Sequence, residues 1–329
     1  MNRRAALLAL TMAISSMLGH SSHADDSAPL VVETKIPLGA VRGRIDHLAV
    51  DRSRQRLFIA ELGNDSVGVV DLAAGKLLHR ITGLSEPQGV GYEPATDTLY
   101  LANAGDGSVR LFTGDGFAPI GTIELGSDAD NVRIDPRGYV VIGHGDGALA
   151  IIDAASKRKV ADIPLAAHPE SFQLGAERIF VNLADRHTIA VIDRGSQKQI
   201  ATWLVANARA NFPMALDEAN HRLLVVFRRP PLLVMLDTRD GRVVARLPTC
   251  GDADDLFIDR KRQQIYVSCG EGTIDVFGLK DDAAAKRGPV ATVSGARTSL
   301  FLPERDRLYL AVRASGSEPA AIWVMRPSP

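Results

Sequence analysis

The sequence predicts an all-β fold: a seven-bladed propeller of four-stranded antiparallel blades. Two observations carry that expectation. A phrase made of a turn, an apolar run ending near an acidic residue, and a second apolar run closing on Ala, Asn, Gly or Cys returns seven times. Its first core residues are Leu48, Val90, Val132, Phe172, Met214, Leu256 and Leu300, at steps of 42, 42, 40, 42, 42 and 44 residues. A steady period of roughly 40–45 residues built of strands is one propeller blade. The second observation is that no helical periodicity is sustained beyond the first two dozen residues.

Taken in order, the chain opens on an export signal over Met1–Ala24. Arg3 and Arg4 precede an apolar stretch from Ala5 to Leu18, and Ser22-His23-Ala24 offers small residues for cleavage. The residues after the arginine pair lack the fuller twin-arginine pattern, so the general secretory route is expected. The apolar run is short for a membrane span of about 20 residues, and no later segment is long and apolar enough to cross. The remainder, 25–329, reads as a single propeller domain, periplasmic or secreted, and is expected to be a monomer. The net charge of −1, with both signs interspersed, argues against a nucleic-acid or anionic-membrane surface.

The first copy shows the blade. Leu48–Val50 is strand a, Arg56–Ala60 strand b, Ser66–Asp71 strand c and Lys76–Ile81 strand d. Gly63-Asn64-Asp65, Ala74-Gly75, Asp106-Gly107, Asp146-Gly147 and Asp240-Gly241 supply the tight reversals. The last copy stops after its third strand, Ala320–Met325. The missing fourth is found at the other end, where Ile36-Pro37-Leu38 resembles the internal fourth-strand segment Ile163-Pro164-Leu165. The N-terminal strand is thus expected to complete the last blade and close the ring, removing exposed sheet edges.

Strand b recurs as Leu99-Tyr100-Leu101-Ala102-Asn103, and with more departure as Ile179-Phe180-Val181-Asn182 and Ile265-Tyr266-Val267-Ser268-Cys269. These segments resemble the Leu-Tyr-Val-Ala-Asn core of the YVTN-type β-propeller repeat family of exported bacterial proteins. The resemblance runs from about Leu30 to the end. It implies a seven-bladed propeller and leaves the activity open, since function resides in loops grafted on the scaffold.

In such a blade the d–a loops share a face with the b–c loops, beside the central channel. Two residues before each anchor stand Asp46, Gln88, Asp130, Glu170, Phe212, Asp254 and Thr298. One residue further come His47, Gly89, Asn131, Ser171, Pro213, Asp255 and Ser299, and nearby lie Arg44, Glu86, Asp128, His168, Asn211, Asp252 and Arg297. Ring closure would gather them into one polar funnel. Turn capping accounts for single Asp, Asn and Ser residues, but not for Arg44, His47, His168 and Arg297 in the same tier.

The candidate ligand-binding residues are therefore Arg44, Asp46, His47, Gln88, Asp130, Asn131, His168, Glu170, Asn211, Asp254, Asp255 and Arg297. Carboxylates at Asp130, Glu170 and Asp254 suit a divalent cation such as Ca²⁺ or Mg²⁺, and the histidines would admit Zn²⁺ or Fe²⁺. Relief of carboxylate repulsion implies that replacing Asp254 leaves stability unchanged or raises it. His144 and His187 are expected in b–c turns on this face but far from the axis, His79 in a fourth strand and His221 in an a–b turn, all four at the surface. Arg228, Arg229, Pro230 and Pro231 read as a basic, solvated b–c turn, with anion binding at the funnel rim as the alternative.

Cys250 and Cys269 are the only cysteines. In an exported chain they are expected to pair rather than to bind metal or stay free. The bridge would close a loop of about 20 residues, worth about 3 kcal/mol in the chain-entropy model. No Cys-x-x-Cys-His, Gly-x-Ser-x-Gly, Walker loop or His-Glu-x-x-His occurs, and Asp281-Asp282 lacks the other ligands of a calcium loop. The leading expectation is a binding or interaction module whose funnel takes a small-molecule ligand or another exported protein. The alternative is a metal-dependent lyase or lactone hydrolase, the cation polarising a carbonyl while His47 or His168 moves protons. A quinone- or haem-bearing electron-transfer role lacks an attachment motif.

Overall fold

The computed structural model describes residues 28–280, 283–316 and 318–328. The expected export signal Met1–Ala24 and the pair Asp281-Asp282 lie outside the described residues. Seven four-stranded antiparallel sheets follow one another around a ring. Blade 1 is β2 (Leu48–Asp51), β3 (Arg56–Glu61), β4 (Ser66–Asp71) and β5 (Lys76–Thr82), within a residue of the boundaries expected from the sequence. Each later repeat folds the same way. Closure also follows expectation: β1 (Leu30–Gly39) is the outer strand of blade 7, antiparallel to β28 (Ala320–Pro327), with Ile36 opposite Ile322 and Leu30 opposite Pro327.

The strand alternation explains why the blades stack. Successive side chains of a strand point to opposite sheet faces. In β3, Leu57 and Ile59 join the apolar cluster shared with blade 7, including Tyr309 and Ile322. Phe58 between them joins the cluster shared with blade 2, with Val90, Leu99 and Leu101. The same division repeats around the ring, giving seven apolar clusters, one at each blade–blade interface. Strand b is covered on both faces and so is apolar through its middle. Each Leu, Ile or Phe buried there contributes about 1.5–3 kcal/mol. No helix among the described residues is long and apolar enough to cross a membrane.

Candidate functional site

The tier of residues before each inner strand is aimed at the axis by a repeated backbone device. The end of strand b pairs with the two residues leading into strand a. Asp46 N–H donates to the Ala60 carbonyl at 2.7 Å, and Ala60 N–H donates to His47 at 3.0 Å. Blade 3 repeats this between Gly143 and the pair Asp130/Asn131, and blade 4 between Asn182 and the pair Glu170/Ser171. A position two before the anchor therefore has one fixed direction in most blades.

The result is a funnel of about 310 Å³ lined from all seven blades. Blade 1 supplies Arg44, Asp46 and His47, and blade 2 supplies Gln88 from β6 (Pro87–Glu93). Asp128, Asp130 and Asn131 come from the entry to blade 3, and His168, Glu170 and Ser171 from the entry to blade 4. Blade 5 gives Phe212 from β18 (Arg209–Asp217) and Arg228 from β19 (Arg222–Arg229). Asp254 of β22 (Ala253–Asp259) and Arg297 complete the wall.

The charges divide the funnel into two parts. On one side every guanidinium has a carboxylate. Arg228 and Arg297 reach opposite oxygens of Asp254 at 2.5 and 2.8 Å. The same pair also flanks Asp252, at 3.4 and 2.7 Å. The Arg228 guanidinium lies 3.7 Å from the centre of the Phe212 ring, a cation–π contact that fixes its plane. Arg44 pairs with Asp46 at 2.5 Å.

On the other side the carboxylates lack such partners. Asp130 Oδ1 is buried without a hydrogen bond among the described residues, its side chain only 9% exposed. Its Oδ2 accepts a hydrogen bond from Asn131 at 3.3 Å. The Glu170 carboxylate makes no ion pair or hydrogen bond with any described residue. Burial pushes Asp130 up to about 6, with Asp46 adding to the shift and His47 opposing it. Burial likewise pushes Glu170 up to about 7, reinforced by the charge of Asp130. Burial disfavours the imidazolium of His47, but Asp46, Asp130 and Asp255 overcome it and raise its pKa. His168 Nδ1 lies 2.7 Å from the Gly145 carbonyl oxygen and 3.4 Å from Asp128.

Below the funnel a second cavity of about 680 Å³ follows the axis between the inner strands. Asp255 faces this lower space rather than the funnel wall, and its carboxylate accepts a hydrogen bond from Ser299 N–H at 2.7 Å. Burial raises it to about 7. Of the other candidates, Asn211 departs from expectation. It is fully buried outside the funnel, donating to Asn182 Oδ1 at 2.7 Å and to the Thr188 carbonyl at 2.9 Å. The β18–β19 register is irregular between Asn211 and Met214, which turns this side chain toward blade 4.

Several further expectations need correction. His144 is buried, 3.0 Å from Asp162, rather than exposed. Arg228 is no solvated turn residue but part of the funnel wall. Its signal was present in the sequence as an arginine just past the apolar run of strand b. Asp254 does not simply repel its neighbours, since it holds two guanidiniums. Asp130, Glu170 and Asp254 share the funnel, yet among the described residues no three His, Cys, Asp or Glu side chains are grouped to hold a metal ion. Asp254 has both oxygens engaged by arginine, so the expected cation triad is not assembled. Cys250 and Cys269 form the expected disulfide, bridging the end of blade 5 to β23 (Gln264–Cys269) with an S–S distance of 1.97 Å.

No family model and no curated protein matches the chain. Solved structures do match in fold. A chain of Kuenenia stuttgartiensis hydrazine synthase superposes with a TM-score of 0.72 at 17% identity, covering 82% of this chain and 95% of that one. A chain of the mitotic checkpoint complex superposes with a TM-score of 0.76 at 12% identity, covering 99% and 100%. At such identities the likeness is one of β-propeller architecture alone, a scaffold that fits an interaction module.

Proposed function

We propose that this chain is an exported binding propeller of the YVTN type whose funnel takes up a small polar ligand. The observation that carries the reading is the funnel itself: polar side chains from seven separate repeats converge on one cavity of about 310 Å³. Such convergence without apolar packing is tolerated where a site requires it. Export is supported by the sequence of Met1–Ala24 and by the disulfide, which suits an oxidising compartment. The test is a thermal-shift survey of the full chain against small amines, sugars, carboxylates and an exported-protein extract. A small molecule that raises the melting temperature of the wild type, and not of an Arg297→Ala variant, supports the reading. Stabilisation by the protein extract alone would move the function to a protein partner.

A further inference from the structure

The two sides of the funnel differ in what they leave unsatisfied, and that difference selects a ligand chemistry. Five carboxylates line the cavity against three guanidiniums. The guanidiniums are committed: Arg44 to Asp46, and Arg228 and Arg297 to Asp254. An anionic ligand would have to displace a carboxylate already in place. Asp130 and Glu170 are left over. Asp130 Oδ1 is a buried acceptor without a hydrogen bond, and the nearest cationic group to it, His47 Nε2, stands 3.7 Å away, beyond hydrogen-bond reach.

We propose that Asp130 and Glu170 together receive the protonated amine of an organic ligand held in the funnel. The inference rests on the reading of the funnel as a binding site and names the class of molecule it takes. An ammonium brings several N–H donors on one positive centre, and it satisfies two carboxylates and a neighbouring amide oxygen at once. Asn131 Oδ1, also buried and without a partner among the described residues, stands beside Asp130 to accept one of those donors. A bare inorganic cation fits less well, because no three ligating side chains are grouped here and most of the cavity would stay unfilled. Phe212 of the adjoining blade 5 gives the funnel an apolar surface for the carbon part of the ligand.

The two carboxyls are tuned for such a guest. Burial holds both near neutrality, so the empty site is partly protonated and avoids two adjacent buried charges. An arriving ammonium restores the ionised state and releases protons, so affinity should rise with pH between about 5 and 8.

Calorimetric titration of the full, disulfide-intact chain at about pH 8 with three probes of one length decides the matter: putrescine, 1,4-butanediol and succinate. Putrescine should bind, with the diol and the diacid at least about tenfold weaker, a gap of about 1.4 kcal/mol. Asp130→Asn and Glu170→Gln should each weaken putrescine by about tenfold or more without lowering the melting temperature at that pH. Succinate or butanediol matching putrescine would overturn the amine assignment while leaving the funnel a binding site. Putrescine binding unchanged in both variants would overturn the assignment to these residues. Ca²⁺ binding lost in both variants, with no heat from putrescine, would replace the amine by an inorganic ion. Silence from all three probes at millimolar concentration also overturns the amine, whereas the funnel reading fails only if the wider survey is silent as well.

Discussion

His47 of blade 1 and Asp130 of blade 3 face each other across the funnel, His47 Nε2 standing 3.7 Å from Asp130 Oδ1. Blade 2 lies between them in sequence and places Gln88 in the funnel at the position of Asp130, yet it has no side chain at the position of His47. Its residue there is Gly89, and a Cβ built on it would come within 2.0 Å of the Asp130 carbonyl oxygen and 3.0 Å of Val132. The missing side chain lets the backbone of blade 3 close in.

Gly89→Ala should therefore be destabilising. The atom in the way is main chain, so relief requires moving the entry to blade 3 rather than rotating a side chain. Overpacking of this kind costs about 1–3 kcal/mol, a fall of several degrees in melting temperature for a chain of this size. It should also displace Asp130 and weaken binding in the funnel. An alanine variant with an unchanged melt and unchanged binding would contradict the close approach.

Stability should fall as pH rises from about 5 to about 7.5. In the unfolded chain Asp and Glu titrate near 4. In the folded protein burial holds Asp130 near 6, and Glu170 and Asp255 near 7. Across that window the folded state binds more protons than the unfolded state, so raising the pH favours unfolding. His47, also raised, acts in the same sense as it loses its proton. Carboxylates held low by arginine, such as Asp237 and Asp306, act only at more acid pH, where their stabilising effect is lost as pH falls. Asp130→Asn should flatten the slope and raise the melting temperature at about pH 7.5. A flat profile in the wild type would show that these carboxyls titrate normally.

The fold was legible because a blade repeats both its strands and its turns. The 42-residue step fixed the anchors, and the incomplete last copy pointed to β1 as its missing strand. Asp46, Gln88, Asp130, Glu170 and Asp254 were legible for a related reason, since the residue two before the anchor is aimed by the pairing of the strand b end with the strand a entry. Where a strand departs from the repeat, the rule fails. Irregular pairing in β18 turned Asn211 away, and the long β19 carried Arg228 into the wall from an element the rule did not consider. Burial and pairing were not legible at all. Nothing in the spacing distinguishes Asp254, held by two arginines, from Asp130, held by none.

The Cys250–Cys269 bridge encloses Asp252, Asp254 and Asp255, so its loss should register in the funnel as well as in stability. Intact mass without reductant should be about two daltons below the dithiol value. Reduction should lower stability by about 3 kcal/mol in the chain-entropy account and weaken ligand binding. Two alkylatable thiols in protein recovered from its native compartment would show that the bridge does not form there.

Asp254→Ala and Asp130→Asn should move stability in opposite directions, although both remove a buried funnel carboxylate. Asp254 lies between Arg228 and Arg297, whose side chains are 17% and 23% exposed. Removing it leaves two largely desolvated guanidiniums sharing only Asp252, which is about half exposed. Breaking a fully buried pair costs about 3–5 kcal/mol. Partial solvent access and the remaining Asp252 contacts should reduce this to about 1–3 kcal/mol. Asp130 has no cation within hydrogen-bond distance, only His47 Nε2 at 3.7 Å, so neutralising it removes a desolvated charge and loses only that looser contact. Melting curves of the two variants at about pH 7.5 provide the comparison. If Asp254→Ala melts at or above the wild type, carboxylate repulsion outweighs the arginine clamp, and the division of the funnel into a paired and an unpaired side is wrong.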